Sequence, residues 1–544
     1  MFSTTRGIPK TTLLLLLLHA LVAFANACEL VGRWTYRPPT AFDHKTVPPW
    51  SNQVCLYEWT SKPMRADPSV LVFSSPEGCL NDAWKKTPAR VLYSSKNGTL
   101  SLTFVLDPPE HKTVVVHGAV DDECTFVDME NGGLYTKASV HPFFMPPHEW
   151  IRTTAGWLIR AAQITFGDGT RHLTPGYPTL YNGQWMRDGF YGISGLWSLA
   201  SAKMRKEFAA SADWMFSRAR YDGIMPQYCP PSGPCQYGQL CNDTVGAPDW
   251  EHCQDLDSAA FAVKLAHQIW FQTTAPSAQR MLFAKWARAL ERGMNATTSD
   301  PSGSGLLWSN TSRPMVGYGF QDTIQKSGVV LYSSVLQWNA SRLLGEMAEA
   351  SGDKELARRM AILSDRIRVS ANRMLWNVER GVFMASAGGT EEDRVDVWGN
   401  AMAGAIGFAS KAQSQSIFNF FKANERNIFF EGQVRETPSP DHWDLVGYWG
   451  NTRPGNQKVA QATVVEYQNG GYWATPLHHV LPFLAMHDRG MACRLLNETI
   501  ASFRSHGINE WVGPFYPASI SGAPGYIASA AGAFRASELL RCWH

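Results

Sequence analysis

The stretch GQWMRDGFYGISGLW, residues 183–197, begins with polar and aromatic side chains and continues with small and apolar ones. Stretches of the same character begin near Asp255, Gln325, Val397 and Tyr472. The interval between them is roughly 70 to 75 residues, and a constant interval of this kind indicates a repeated structural unit. Each stretch is helix-like and rich in small and apolar residues, so we expect a helix at each of the five.

A more amphipathic helix, with charged residues on one face, is predicted after each of these stretches. These predicted helices span Met204-Ala219, Ser277-Met294, Asp353-Leu375, Ala412-Asn424 and Asp488-Ser505. Two further helices, Glu149-Thr165 and Gly525-Leu540, form a sixth pair split between the two ends of the repeat. Six inner and six outer helices predict a mainly α protein with an (α/α)6 barrel over residues 148–544, in which the inner helices run parallel and their N-termini open at one mouth.

Residues 28–147 have a different pattern, in which short alternating segments are separated by Pro, Gly, Asn and Asp. Alternation over four to eight residues between turn-forming clusters is typical of antiparallel strands. The predicted strands are Glu29-Tyr36, Gln53-Thr60, Ser69-Ser74, Ala89-Ser94, Thr99-Leu106, Thr113-Ala119 and Cys124-Met129. We therefore expect a small antiparallel β domain, a sandwich or a small barrel, in front of the helical barrel.

Residues 1–27 have the order of a cleavable signal peptide. Arg6 and Lys10 precede the apolar run Leu13–Phe24, and small residues follow at 25–27. The apolar run is shorter than the roughly 20 residues that span a bilayer. We expect a secreted or secretory-lumen protein that begins near Cys28 and has no membrane attachment after cleavage. A lipid anchor at Cys28 is the alternative.

Ten cysteines in a secreted chain indicate disulfides, because the compartment oxidises thiols. They fall into three groups, within which we expect them to pair: Cys28, Cys55, Cys79 and Cys124; Cys229, Cys235, Cys241 and Cys253; and Cys493 with Cys542. For the middle group a zinc site that includes His252 is the alternative. Six Asn-x-Ser/Thr sequons fit a glycoprotein: Asn97, Asn242, Asn295, Asn310, Asn339 and Asn497.

The charge of the chain identifies no partner. The formal net charge is +2, and no basic run indicates binding to nucleic acid or to an anionic membrane. The 21 tryptophans are more informative, because flat aromatic faces pack against the apolar faces of sugar rings. We expect an oligosaccharide or polysaccharide partner, a monomer, and neither metal nor cofactor.

Polar and aromatic residues cluster where each inner helix starts, so parallel inner helices would bring them to one site. Capping of free backbone N–H groups can account for Asp255 or Asp396, but not for the Trp, Tyr and Arg side chains beside them. The candidate substrate-binding residues at these starts are Trp185, Arg187, Asp188, Asp257, Tyr318, Phe320, Trp398, Tyr467, Asn469, Trp473 and Trp511.

The helical part resembles the six-hairpin glycosidases, the group that includes glucoamylases, trehalases and neutral invertases. Trp185-x-Arg187-Asp188 is similar to a motif in which the Arg and Asp hold sugar hydroxyls. The string Tyr467-x-Asn469-Gly470-Gly471-x-Trp473 is similar to a stretch of neutral invertases.

This resemblance implies a glycoside hydrolase with Asp322 as general acid and Glu510 as general base. One carboxyl must be protonated and the other ionised, and an apolar surround of Phe320 and Tyr318 would raise the pKa of Asp322. Inversion is expected, with a water between sugar and base. Glucoamylases use Glu as the acid, so an Asp at position 322 leaves the identity of the substrate open. Asp188, Asp257 or Glu466 could replace one of the pair as acid or base.

Two other functions are compatible with the sequence. A polysaccharide lyase on the same toroid would use Tyr or His to remove a proton beside a uronate, and His478 and His479 are candidates, although they lie inside the fifth inner helix. A non-catalytic carbohydrate-binding protein is the other alternative. The presence of both carboxylates argues against it.

Overall fold

The computed structural model describes residues 146–176, 181–237, 255–297, 299–309, 326–389, 392–441, 468, 470–513 and 525–543, and the backbone of eight strands nearer the N-terminus. The chain divides into two compact units. One contains Asn52–Phe144 and the other Met145–His544. The predicted signal peptide lies outside the described residues.

The N-terminal unit contains a single antiparallel sheet with the order β2-β1-β8-β7-β6-β5-β4-β3. Its strands are β1 (Gly32–Arg37), β2 (Cys55–Trp59), β3 (Val70–Phe73), β4 (Ala89–Lys96), β5 (Thr99–Val105), β6 (Thr113–Val120), β7 (Phe126–Met129) and β8 (Leu134–Ala138). The described strands thus form one sheet rather than the two of a sandwich. Strand β8, which pairs with β1 and β7, was not predicted, because its sequence LYTKA does not alternate between apolar and polar residues.

The second unit contains twelve helices longer than eight residues in its described part. The inner helices are α2 (Met186–Leu196), α4 (Ser258–Gln272), α6 (Leu331–Ser351), α8 (Val397–Ala405), α10 (Leu477–Ala485) and α12 (Ile527–Leu540). The outer helices are α1 (Pro147–Ala161), α3 (Ala202–Phe216), α5 (Pro276–Ala296), α7 (Lys354–Met374), α9 (Lys411–Ala423) and α11 (Arg489–His506). Each of the twelve predicted helices is present.

The inner helices form a closed ring. Each packs against the next in chain order, and α12 packs against α2. Small residues allow the close approach: a Cβ added at Gly195 would lie 2.7 Å from Ala531 Cβ, and one at Gly532 would lie 2.3 Å from the Ala474 carbonyl oxygen. The mainly α prediction and the (α/α)6 barrel are therefore confirmed.

Four of the six outer helices begin at side-chain caps that satisfy free N–H groups, whereas α1 and α5 begin with a proline. Ser201 caps α3, Asp353 caps α7 and Asp488 caps α11. Ser410 and Gln413 form a reciprocal capping box at the start of α9. These caps fix where those four helices start after the turn from their inner partners.

Two disulfides lie among the described residues. Cys493 on α11 bonds to Cys542 after α12, which confirms that predicted pair, and Cys229 bonds to Cys235. The second pair lies within the middle group and takes up two of the four cysteines of the zinc alternative. The other cysteine pairings lie outside the described side chains. None of the described helices has both the length and the apolar character that a membrane span requires.

Candidate active site at the mouth of the barrel

Asp188 lies in the first turn of α2, buried at the mouth with 3% of its surface exposed. The hydroxyl of Tyr526, the residue before α12, donates a 2.6 Å hydrogen bond to Asp188 Oδ1. Burial raises the pKa of Asp188, while the charge of Arg187 and the Tyr526 hydrogen bond oppose this increase. A buried carboxyl with a fixed donor is suited to accept a hydrogen bond from a sugar hydroxyl.

Arg187 is held by two carboxylates at the start of α4. Its Nη1 lies 3.3 Å from Asp255 Oδ2 and 3.9 Å from Asp257 Oδ1. Asp255 Oδ1 also accepts 2.8 Å hydrogen bonds from the backbone N–H groups of Asp257 and Ser258. Asp255 is thus a cap, as its position suggested, and it fixes the Arg187 guanidinium as well.

Glu510 lies between α11 and α12 with 8% of its surface exposed. The Tyr181 hydroxyl donates a 2.9 Å hydrogen bond to Glu510 Oε2. The chain beside it is fixed by a β-bridge, in which Val512 and Tyr472 exchange two backbone hydrogen bonds of 2.8 Å. These contacts hold the Glu510 carboxylate at the mouth.

Two tyrosines connect the environments of Asp188 and Glu510. The ring centroids of Tyr181 and Tyr526 are 5.9 Å apart. Burial and the charges of Asp188 and Glu510 raise the pKa of Tyr526 well above its ordinary value, so it keeps its proton as a donor. We call Asp188, Tyr526, Tyr181 and Glu510 the mouth network. The half-buried Trp185 packs its ring edge-to-face against Tyr181 at 5.5 Å.

The start of α8 contributes a buried ion pair. Asp396 Oδ1 accepts a 2.7 Å hydrogen bond from the Gly399 N–H, and Asp396 Oδ2 lies 3.0 Å from Lys326 Nζ. Both side chains of the pair are at most 1% exposed. Asp396 is therefore a cap that also anchors the segment leading into α6.

Three predicted aromatic residues are placed around this end of the barrel. Trp398 and Trp473 pack edge-to-face at 5.9 Å and are 1% and 0% exposed, respectively. Trp511, next to Glu510, is 7% exposed. Contact of these rings with a substrate stays a prediction.

A further layer of buried polar groups crosses the barrel interior. The Tyr191 and Tyr332 hydroxyls are 2.9 Å apart, and the Tyr191 ring packs against His478 at 4.5 Å. His478 Nδ1 donates to the Thr475 carbonyl at 3.0 Å, and its Nε2 accepts from His479 Nδ1 at 3.2 Å. Both ring nitrogens of His478 are thus engaged within the protein.

Five predicted site residues lie outside the described residues: Tyr318, Phe320, Asp322, Tyr467 and Asn469. The described residues bring Trp185, Arg187, Asp188, Asp257 and Glu510 to one end of the barrel. In the described part of the chain, no three His, Cys, Asp or Glu side chains group in a way that could hold a metal ion.

Tyr181 and Tyr526 belong to the candidate site but were not predicted from the sequence. Each precedes an inner helix by a few residues, as the predicted site residues do. Position relative to the helix start was therefore the available signal. Tyr526 lies next to α12, and the only residues predicted for the start of that helix were Glu510 and Trp511.

No protein-family model matches this chain, and no curated protein matches it. Among solved structures it is similar to a glycoside hydrolase family 63 mannosylglycerate hydrolase from Thermus thermophilus in complex with glucose, with 13% identity and a TM-score of 0.52 over 71% of this chain and 99% of that chain. An uncharacterized conserved protein from the same organism matches with 14% identity, a TM-score of 0.51 and the same coverage. At this identity the similarity shows the fold alone: the helical part of the chain has an (α/α)6 toroid like that of the family 63 hydrolase.

Proposed function

We propose that this chain is a secreted glycoside hydrolase that cleaves a glycosidic bond with inversion, with Asp322 as general acid and Glu510 as general base. The observation that carries the proposal is Glu510, a nearly buried carboxylate held at the barrel mouth by the Tyr181 hydroxyl. A base that activates water must be ionised and fixed in direction. A hydroxyl donor at one carboxylate oxygen favours both conditions.

The Arg187 and Asp188 pair supplies the sugar-binding part of the site. Arg187 is fixed by Asp255 and Asp257, and Asp188 by Tyr526, so neither has to be ordered when the substrate arrives. The half-buried Trp185 ring offers an apolar face beside them. This arrangement suits the sugar ring at the cleaved bond.

The role of Asp322 as acid rests on the resemblance and on its position in the chain. It precedes Lys326 by four residues, and Lys326 is anchored to Asp396 by the buried ion pair at the mouth. The chain that follows Asp322 is therefore fixed at Lys326.

Hydrolysis is better supported than a lyase reaction with His478 as the base. A lyase base needs a free nitrogen or phenolate near the substrate. His478 uses both ring nitrogens within the protein, and burial lowers its pKa to about 3. Secretion is supported by the predicted signal peptide and by the Cys493–Cys542 and Cys229–Cys235 disulfides.

A substrate panel tests this function directly. The panel holds disaccharides, aryl glycosides, uronate-containing polysaccharides and mannosylglycerate, the last because the name of the similar hydrolase gives it as substrate. We expect release of reducing sugar from at least one glycoside, with Glu510→Gln at least about 100-fold slower in kcat. The control Glu538→Gln, an exposed carboxylate on α12, should match the wild type.

Other results would contradict the proposal. Products that absorb in the near ultraviolet would identify a lyase, and binding without turnover of any glycan would identify a binding protein. Full activity of Glu510→Gln would remove the base assignment.

A further inference from the structure

A short hairpin lies beside the first inner helix at the mouth of the barrel. Its strand Tyr228–Cys229 pairs antiparallel with Gln184–Trp185, the two residues directly before α2. The backbones of Tyr228 and Gln236 exchange two hydrogen bonds, of 3.2 and 2.7 Å, which close the hairpin. We call residues 227–236 the mouth hairpin. Its backbone is therefore fixed directly to the candidate site residue Trp185.

The side chain of Tyr228 packs against that of Trp185. The two residues lie directly opposite each other in the strand pair, so their side chains project from the same face of it. Their ring centroids are 4.2 Å apart, and both rings are half-buried. On its other neighbour, Tyr181, the Trp185 ring packs edge-to-face at 5.5 Å, and the Tyr181 hydroxyl contacts Glu510. Three aromatic rings thus form a row that ends at the proposed base.

Three further features hold the Tyr228 ring in place. Its hydroxyl donates a 3.0 Å hydrogen bond to Asn182 Oδ1. Gly183 leaves the space that the ring needs, because a Cβ at this position would overlap the ring and lie 2.6 Å from the Cys229 carbonyl oxygen. The Cys229–Cys235 disulfide closes the loop that follows Tyr228. A hydrogen bond, a matching space and a covalent link therefore fix this ring.

We propose that Tyr228 positions Trp185 for the binding of a neutral pyranose ring, which packs on the part of the indole that Tyr228 leaves uncovered. This inference rests on the proposed glycosidase function and concerns the same site. Tyr228 is a positioning residue, because its described side-chain contacts are with Trp185 and Asn182 and not with a catalytic carboxylate.

The physical basis is preorganisation of an aromatic face. An indole that is held in place before the substrate arrives loses little conformational entropy on binding. The face of an aromatic ring carries partial negative charge, so it favours the C–H groups of a neutral sugar over the carboxylate of a uronate. Loss of the support under Trp185 should therefore weaken substrate binding and leave the chemical step at Glu510 nearly unchanged.

Steady-state kinetics of two variants separate the Tyr228 ring from its hydroxyl. Tyr228→Ala removes the support of the indole, so KM for the best neutral glycoside should rise about 3- to 10-fold while kcat stays within about twofold. Tyr228→Phe keeps the ring and should have the KM of the wild type. Tyr221→Ala, at an 82% exposed position, is the control and should change neither constant.

The possible failures can be distinguished. An unchanged KM in Tyr228→Ala, or a loss confined to kcat, would overturn the role of Tyr228 and leave the glycosidase function intact. A KM raised equally in Tyr228→Phe and Tyr228→Ala would assign the effect to the hydroxyl and would overturn the role of the ring. Hydrolysis of no glycoside by the wild type would contradict the proposed function, and this inference with it.

A second measurement does not depend on whether Tyr228→Ala folds. Crystals of the wild type, grown with and without the sugar product, should show the Trp185 indole in one rotamer against Tyr228, with the pyranose packed on its uncovered part. An indole that leaves Tyr228 when the sugar binds would overturn the proposal. A sugar bound at the mouth without contact to Trp185 would also overturn it.

Discussion

The hydroxyl of Tyr526 donates a 2.6 Å hydrogen bond to Asp188 Oδ1, although the two residues are 338 positions apart in the chain. One precedes the last inner helix and the other begins the first, so this bond crosses the junction where the ring of helices closes. It links the closure of the barrel to the site at its mouth.

Tyr526→Phe should shift the acid limb of activity to higher pH. The hydrogen bond lowers the pKa of Asp188 against the effect of burial, so its loss raises that pKa further. If ionised Asp188 holds the sugar, then as the pH is lowered kcat/KM of the variant will begin to fall at a higher pH than that of the wild type. The pH profile of kcat/KM measures this. Tyr221→Phe, at an 82% exposed position, is the control, and an unchanged acid limb in Tyr526→Phe would contradict the account.

Tyr181→Phe should lower kcat by about 10- to 100-fold, because a hydrogen bond to a charged group contributes about 1.5–3 kcal/mol. The hydroxyl contacts Glu510 Oε2 at 2.9 Å and is expected to direct the carboxylate toward water. Steady-state kinetics on the best substrate provide the measurement, and Tyr221→Phe again provides the control. A change confined to KM would assign Tyr181 to binding instead.

The unfolding free energy should fall as pH drops from about 6.5 to 4. His172 is buried, and burial lowers its pKa to about 4. The unfolded chain therefore binds a proton in this window that the folded protein does not, which destabilises the fold by on the order of 3 kcal/mol at about pH 4. Urea unfolding at several pH values tests this.

In His172→Gln the pH dependence should be weaker, since no histidine then has to be protonated on unfolding at this position. Tyr221→Phe, at an exposed position, removes no histidine and should leave the slope unchanged. Equal slopes in wild type and His172→Gln would contradict the prediction.

Loss of the Cys493–Cys542 disulfide should destabilise the barrel by about 4 kcal/mol on the chain-entropy estimate, because it closes a loop of 49 residues. The Cys229–Cys235 bond closes a loop of only 6 residues, and the same estimate of its contribution to stability is about 2 kcal/mol. Chemical unfolding of the two double Cys→Ser variants compares them. A smaller effect for the Cys493–Cys542 pair would contradict the loop-length argument.

The helical barrel could be predicted because its signal is repeated and local. Small and apolar stretches recur at a constant interval, and each is followed by an amphipathic helix. Strand β8 was missed because Leu134–Ala138 mixes apolar and polar residues without alternation. The signal peptide, the domain limits and the role of Asp322 stay predictions.

The site could be predicted only in part, because side-chain pairing is set by tertiary packing. The sequence indicated that Arg187 and Asp188 lie at the mouth. It did not indicate that Asp255 and Asp257 hold Arg187. Nor did it indicate that Tyr526 holds Asp188. Nor could it show that Trp398 and Trp473 pack against each other with almost no exposure. The distance of a residue from a helix start predicts at which end of the barrel it lies. Its burial and its hydrogen-bond partners depend on how the closed ring of helices packs.

The central claim, inversion by a water that Glu510 activates, is tested most directly by a proton NMR time course of wild-type hydrolysis on an anomerically pure substrate. We predict that the first product signal is the anomer opposite to that of the substrate, since water attacks from the far face. The equilibrium mixture should follow only by mutarotation. A first product with retained configuration would contradict the account, because it requires a covalent intermediate and a nucleophile in place of the base.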